Sequence, residues 1–121
     1  MDDMVQWLGQ QLDEDERIAR VATPGPWEQS GIGEYGWAVS FSRPGAGVEV
    51  EDSDQGRADA DFIAAHDPAR VLCEIDAKRR IIAAYENYDR EAPELDVPES
   101  VLRLLALPYA DRPGYREEWR P

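Results

Sequence analysis

The stretch A-T-P-G-P-W-E-Q, Ala22 to Gln29, closes one hydrophobic pattern and opens another, and its reading decides the fold. Before it, Met4, Val5, Trp7, Leu8, Leu12, Ile18, Ala19 and Val21 fall within a little over half the circumference of a helix turning about 100° per residue. That spacing predicts a helix over 3–21, with Asp2 or Asp3 able to cap its start. Pro24 and Pro26 withhold backbone donors and stop it, Gly25 permits the turn, and Trp27 begins a new layer.

Beyond the joint the period changes from helical to alternating. Trp27 to Gln29, Tyr35 to Ser42 and Val48 to Glu51 carry aromatic and β-branched residues, separated by G-I-G and R-P-G-A-G, and predict a three-stranded antiparallel meander over 26–51. Trp37, Val39 and Phe41 share one face, as do Val48 and Val50. Such a sheet needs a helix on its apolar side. Ala58 to Ala65 suits a short helix over 58–66, halted at His66-Asp67-Pro68, where Asp67 is a good N-cap and Pro68 a good first-turn residue. Val71, Ile75, Ile82 and Tyr85 then mark a helix over 68–87, widened by Leu72. A Pro- and acid-rich connector over 92–100 leads to the apolar Val101, Leu102, Leu104 and Leu105 and a C-terminal segment over 99–121. The whole, 1–121, is expected to be a single α+β domain. Two main helices pack on one face of the three-stranded sheet, and a short C-terminal helix closes an edge.

At 121 residues one core is expected, and 26 acidic against 13 basic residues leave a net charge of −13. Such a surface repels nucleic acid and anionic lipid, so direct nucleic-acid binding and membrane association are not expected. Cys73 has no internal partner, the start M-D-D-M-V-Q-W lacks a signal-peptide pattern, and no run approaches the roughly 20 apolar residues of a membrane span. A cytoplasmic setting is the expectation.

The chemistry-bearing residues are few. Glu49, Glu51, Asp52 and Asp54 invite a calcium reading, but an EF-hand register from Asp52 puts Gly56 at a ligand position and Ile63 where the bidentate Glu belongs. His66, Asp67 and Cys73 could form a hydrolase-like set, yet no elbow or oxyanion motif accompanies them, and Asp67 is better used as a cap. No catalytic residue, metal or cofactor is expected. Lys78-Arg79-Arg80 is the only basic run; Lys78 falls inside the apolar stripe, where its stem can be buried while its head reaches water. With Arg70 on the same helix, Lys78, Arg79 and Arg80 are the natural place for a small anionic, nucleotide-like ligand.

The segments W-L-x(3)-L-D-E-D-E-R-I-A-R, T-P-G-P-W, D-F-I-A-x-H-D-P-A-R-V-L-x-E-I-x-A-K-R-R-I-I and L-R-L-L-A-L-P-Y-A-D-R-P-G-Y-R-E-E-W-R-P resemble a family of small uncharacterised proteins of high-GC Gram-positive bacteria and their phages. The resemblance covers about two-thirds of the chain. It implies a phage or prophage origin and no assigned activity. Relatives that carry cysteines before the final segment have no counterpart in 92–100, so no metal role is carried over.

The expected function is therefore non-enzymatic: a phage-type accessory protein acting on a host or phage protein through protein–protein contact. Asp13, Glu14, Glu51, Asp52, Asp54 and Trp119 are the expected partner surface. Acids at 13–16, 49–54 and 86–99 on one face would imitate DNA phosphates for a DNA-binding enzyme. The alternative is an anion-sequestering protein using Arg70, Lys78, Arg79 and Arg80. The wide apolar arc of the first helix also leaves room for a homodimer.

Overall fold

Helix α1, Asp3–Val21, forms where the periodicity places it in the computed structural model of the chain, which describes residues 3–87 and 96–121. Strands β1 (Glu28–Ile32), β2 (Trp37–Ser40) and β3 (Gly47–Glu49) follow as an antiparallel sheet in the order β1-β2-β3. Then come α2 (Asp54–Ala65), α3 (Pro68–Glu86) and α4 (Glu99–Ala106), with short 3-10 turns at Leu107–Tyr109 and Glu117–Trp119. The fold is α+β with a short C-terminal helix. Part of the acidic connector lies outside the described residues, as does most of the 86–99 acidic stretch.

Contacts divide the chain into two compact units, one formed by the chain up to Asp15 and from Glu74 onward, the other by Glu16–Cys73. The second, the meander unit, contains the sheet. Its strands pair Gln29 with Val39 and Ile32 with Trp37, and Val39 with Val48, with a bulge between Gln29 and Gly31. The helix lying on β1 and β2 is α2, whereas the sequence pointed to α1 and α3 for that role. The physical reason is α2's inward row of small residues: Gly56 and Ala60 are buried and let the helix approach closely. α2 also begins four residues earlier than the pattern suggested. Ser53, inside what reads as an acidic turn, accepts the Gly56 amide at 2.9 Å and caps the helix, and Asp54 complements its first turn.

The joint at 22–29 is held by one carboxylate and one stack. Asp67 accepts the Arg70 amide at 2.9 Å through one oxygen, capping α3, and the Trp27 amide at 3.1 Å through the other. The Trp27 ring stacks on Phe41 with centroids 4.0 Å apart, and its Nε1 donates to the Thr23 carbonyl at 2.9 Å. Gly36 sits against the main chain of Val50 and Glu51, and a Cβ there would collide with the Val50 carbonyl oxygen. Backbone cannot swing aside as a side-chain tip can. Gly36→Ala is therefore expected to lower stability by about 1–3 kcal/mol in urea unfolding, and a loss of only a few tenths would show that this approach is not tight.

In the other unit, the helical unit, Met4, Leu8, Leu12, Leu102 and Ala106 are fully buried, with Ile75 and Ile82 close to it. Burying each large aliphatic side chain contributes about 1.5–3 kcal/mol. The C-terminal segment packs on the start of α1. Trp7 Nε1 donates to the Pro113 carbonyl at 3.0 Å, and its ring meets Trp119 and Tyr115 at 5.4 and 5.7 Å.

Candidate functional site

The turn G-E-Y-G, 33–36, joins β1 to β2 and closes with the Gly33 amide on the Gly36 carbonyl at 2.7 Å. Glycine at both ends leaves Tyr35 without bulky neighbours. Glu49, on β3, reaches over and accepts the Glu34 amide at 3.0 Å and the Tyr35 amide at 2.9 Å, one with each carboxylate oxygen. The turn is thus held from a second strand, and the tyrosine it carries is 78% exposed. Ile32, paired across the ladder with Trp37, is 54% exposed, and the Arg57 guanidinium of α2 lies over the Trp37 ring at 5.0 Å.

The acidic turn after β3 is drawn to the same end of the sheet. Val50 donates to the Trp37 carbonyl at 2.9 Å, Gly36 packs on residues 50 and 51, and Ser53 Oγ donates to Glu51 at 2.8 Å. Glu34, Glu49, Glu51, Asp52 and Asp54, all exposed, therefore belong to the same end as an aromatic and aliphatic projection. On the sheet face opposite α2, Tyr35, Ala38, Ser40, Arg43, Gly47 and Glu49 line a shallow depression of about 890 Å³. Small side chains at 38, 40 and 47 leave the backbone there accessible.

The sequence-predicted residues fall in several places. Glu51, Asp52 and Asp54 are at this end of the meander unit. Asp13 and Glu14 are on α1 in the helical unit, where Asp13 accepts from Arg79 at 2.8 Å. Trp119 is buried against Trp7 and is not an exposed anchor. Gly114 and Pro113 turn the C-terminal segment back onto α1, so the aromatics that look like a free tail become core.

Arg70, Lys78, Arg79 and Arg80 are not gathered on one face, because offsets of eight, nine and ten residues distribute them around a helix. Arg70 Nη1 donates to the Ala65 carbonyl at 3.1 Å, and Arg80 pairs with Asp76 at 3.0 Å. Lys78 is half-buried, in keeping with a stem in the apolar stripe. A groove of about 480 Å³ in the helical unit takes only Arg79 of the four, together with the carboxylates of Asp13 and Glu86. Its fixed charge does not suit an anion.

His66 lies stacked on Phe62 with centroids 4.1 Å apart, its Nδ1 2.8 Å from the Phe62 carbonyl oxygen, while Cys73 is exposed on α3. Among the described residues no bond joins the two, and no group of three His, Cys, Asp or Glu side chains could hold a metal ion. A polar cluster in the helical unit is built for fixation. Tyr109 donates to Asp15 at 2.7 Å, Arg112 Nη2 to the other Asp15 oxygen at 2.8 Å, and the guanidinium lies over the Tyr109 ring at 4.6 Å. Burial, then the bond to Asp15, pushes the Tyr109 phenol well above its ordinary titration range, so the ring stays a neutral donor.

Sequence reasoning missed Tyr35, Ile32 and Arg43. The signal was the glycines bracketing Glu34-Tyr35, which mark a tight turn that pushes a large side chain outward.

Fold and surface together define a small α+β protein with a helix-backed meander that displays aromatic residues among carboxylates. The chain belongs to a family of unknown function, DUF6221, which it matches over residues 1–121. Neither a curated protein nor a solved structure matches it. Among the described residues, no helix is long and apolar enough to cross a membrane.

Proposed function

We propose that this is a non-enzymatic accessory protein that binds a host or phage protein in the cytoplasm through the end of the meander unit carrying Tyr35. The observation that supports the reading is the juxtaposition of exposed Tyr35 and Ile32 with Glu34, Glu51, Asp52 and Asp54. Aromatic anchors ringed by charge are the composition of interface hot spots, and a turn held by Glu49 loses little entropy on binding. Carboxylates around an aromatic select a basic surface, which they steer and which the ring accepts by cation–π contact. A DNA-binding protein, drawn to acids as it is to phosphates, is the partner class this favours.

The test is capture of a partner from host lysate by the tagged protein, compared between wild type and the Ile32→Ser/Tyr35→Ser variant. Retention of the specific partner is expected to fall at least tenfold in the variant, whose circular dichroism spectrum should be unchanged. An Asp13→Asn/Glu14→Gln variant should retain it. Equal retention by Ile32→Ser/Tyr35→Ser would end the reading.

A further inference from the structure

We propose that the free edge of β3 is a strand-addition site for an extended segment of the partner, basic in its N-terminal half. This rests on the reading that the interface lies at this end of the meander unit, and it adds the binding mode.

The ladder fixes which backbone groups are available. The Phe41 amide donates to the Ala46 carbonyl and the Val50 amide to the Trp37 carbonyl, and Val48 pairs with Val39 between them. In an antiparallel ladder the residues facing the neighbour alternate. Val48, Val50 and the Ala46 carbonyl therefore face β2, the Ala46 amide being taken by the Arg43 carbonyl at 3.1 Å, and Gly47 and Glu49 point their N–H and C=O groups to the open edge. All three residues of β3 are exposed, and within the sheet β3 pairs only with β2.

The two edges of this sheet differ. β1 carries a bulge between Gln29 and Gly31, and Gly31 has a φ of +89°, so its line of donors is broken. β3 has no bulge and no proline. Glu49 would ordinarily guard such an edge with its charge, but its carboxylate is folded across the sheet onto the Glu34 and Tyr35 amides.

Charge specifies the occupant. Glu49, Glu51 and Asp52 stand at the end of β3, and Arg43, with no ion-pair partner among the described residues, stands at its start beside Gly47. An antiparallel strand would bring its N-terminal half beside the carboxylates and its C-terminal end beside Arg43. A second copy of this chain is a poor occupant, because each brings a net charge of −13. Val48 is 41% exposed on the face of the sheet that α2 covers, so every second residue of the incoming strand should be apolar and extend that layer.

The probe is the peptide Lys-Val-Lys-Val-Thr-Val-Thr-Val, titrated into the full-length ¹⁵N-labelled protein at physiological salt. Expected are amide shifts centred on Gly47 to Glu49 and slowed exchange of the Gly47 and Glu49 amides. The same peptide with its central valines replaced by proline keeps the charge but cannot form a ladder, and it should bind at least tenfold more weakly. Glu51→Lys/Asp52→Lys should also weaken the lysine peptide at least tenfold. Equal binding of the proline peptide, shifts centred elsewhere, or no binding at millimolar peptide would each overturn strand addition. If the lysate capture still depends on Tyr35 in that case, the interface stands and only this mode is wrong.

Discussion

Replacing Trp7 with alanine is expected to lower the unfolding free energy by about 3–5 kcal/mol, the usual range for removing a large buried aromatic. Trp7 is 8% exposed, and its ring meets both Tyr115 and Trp119 of the C-terminal segment. Its Nε1 also satisfies the Pro113 carbonyl, which alanine would leave without that donor. Beneath it passes Gly114, whose φ of +92° and whose missing Cβ, 2.6 Å from Nε1 if present, make room for the ring. Truncation leaves a hole that rigid neighbours cannot fill, because the segment is tied down on either side by Arg112 to Asp15 and Arg116 to Asp3. Trp7→Phe keeps most of the contact area and loses the hydrogen bond, so it should recover more than half of the loss. Urea unfolding followed by far-ultraviolet circular dichroism reads both variants. A loss below about 1 kcal/mol for the alanine variant would mean that the segment is held by its ion pairs, each then worth more than the usual contribution of about 0–1 kcal/mol for an exposed pair.

The same residues show why part of the molecule was legible in sequence and part was not. Trp7 sits on a periodic apolar stripe, so its burial follows from a local rule, and so does the stop at Pro24 and Pro26. Trp119 is separated from Trp7 by the whole chain, and nothing within the closing segment distinguishes a free tail from one folded back. The α2 start was hidden because Ser53 lies among Glu51, Asp52 and Asp54, where acids read as a solvated loop even though the serine is a cap. The proposed interaction surface was half legible for the same reason. Glu51, Asp52 and Asp54 announce themselves by charge, whereas Tyr35 joins them through cross-strand contacts, among them its bond to Glu49 fourteen residues away.

Asp67→Ala is expected to cost about 2–4 kcal/mol, more than an ordinary helix cap, because one side chain satisfies two amides from different segments. Loss of the cap on Arg70 alone accounts for about 0.5–2 kcal/mol. The Trp27 amide is the larger consequence: it lies in a part-buried position 40 residues away and would lose its acceptor, at about 1–3 kcal/mol. Asp67 as a whole is only 8% exposed, so water cannot replace its carboxylate without opening the joint. Asp67→Asn offers a single carbonyl oxygen where the aspartate has two, and should keep one of the two bonds and about half of the stability. Amide exchange separates the contributions. In the alanine variant both Trp27 and Arg70 should lose protection, and the stacked pair Trp27 and Phe41 should loosen with them, since the amide fixes where the ring can lie. If only Arg70 responds, Asp67 is a cap and nothing more, and the joint at 22–29 is held by its prolines and by the stack.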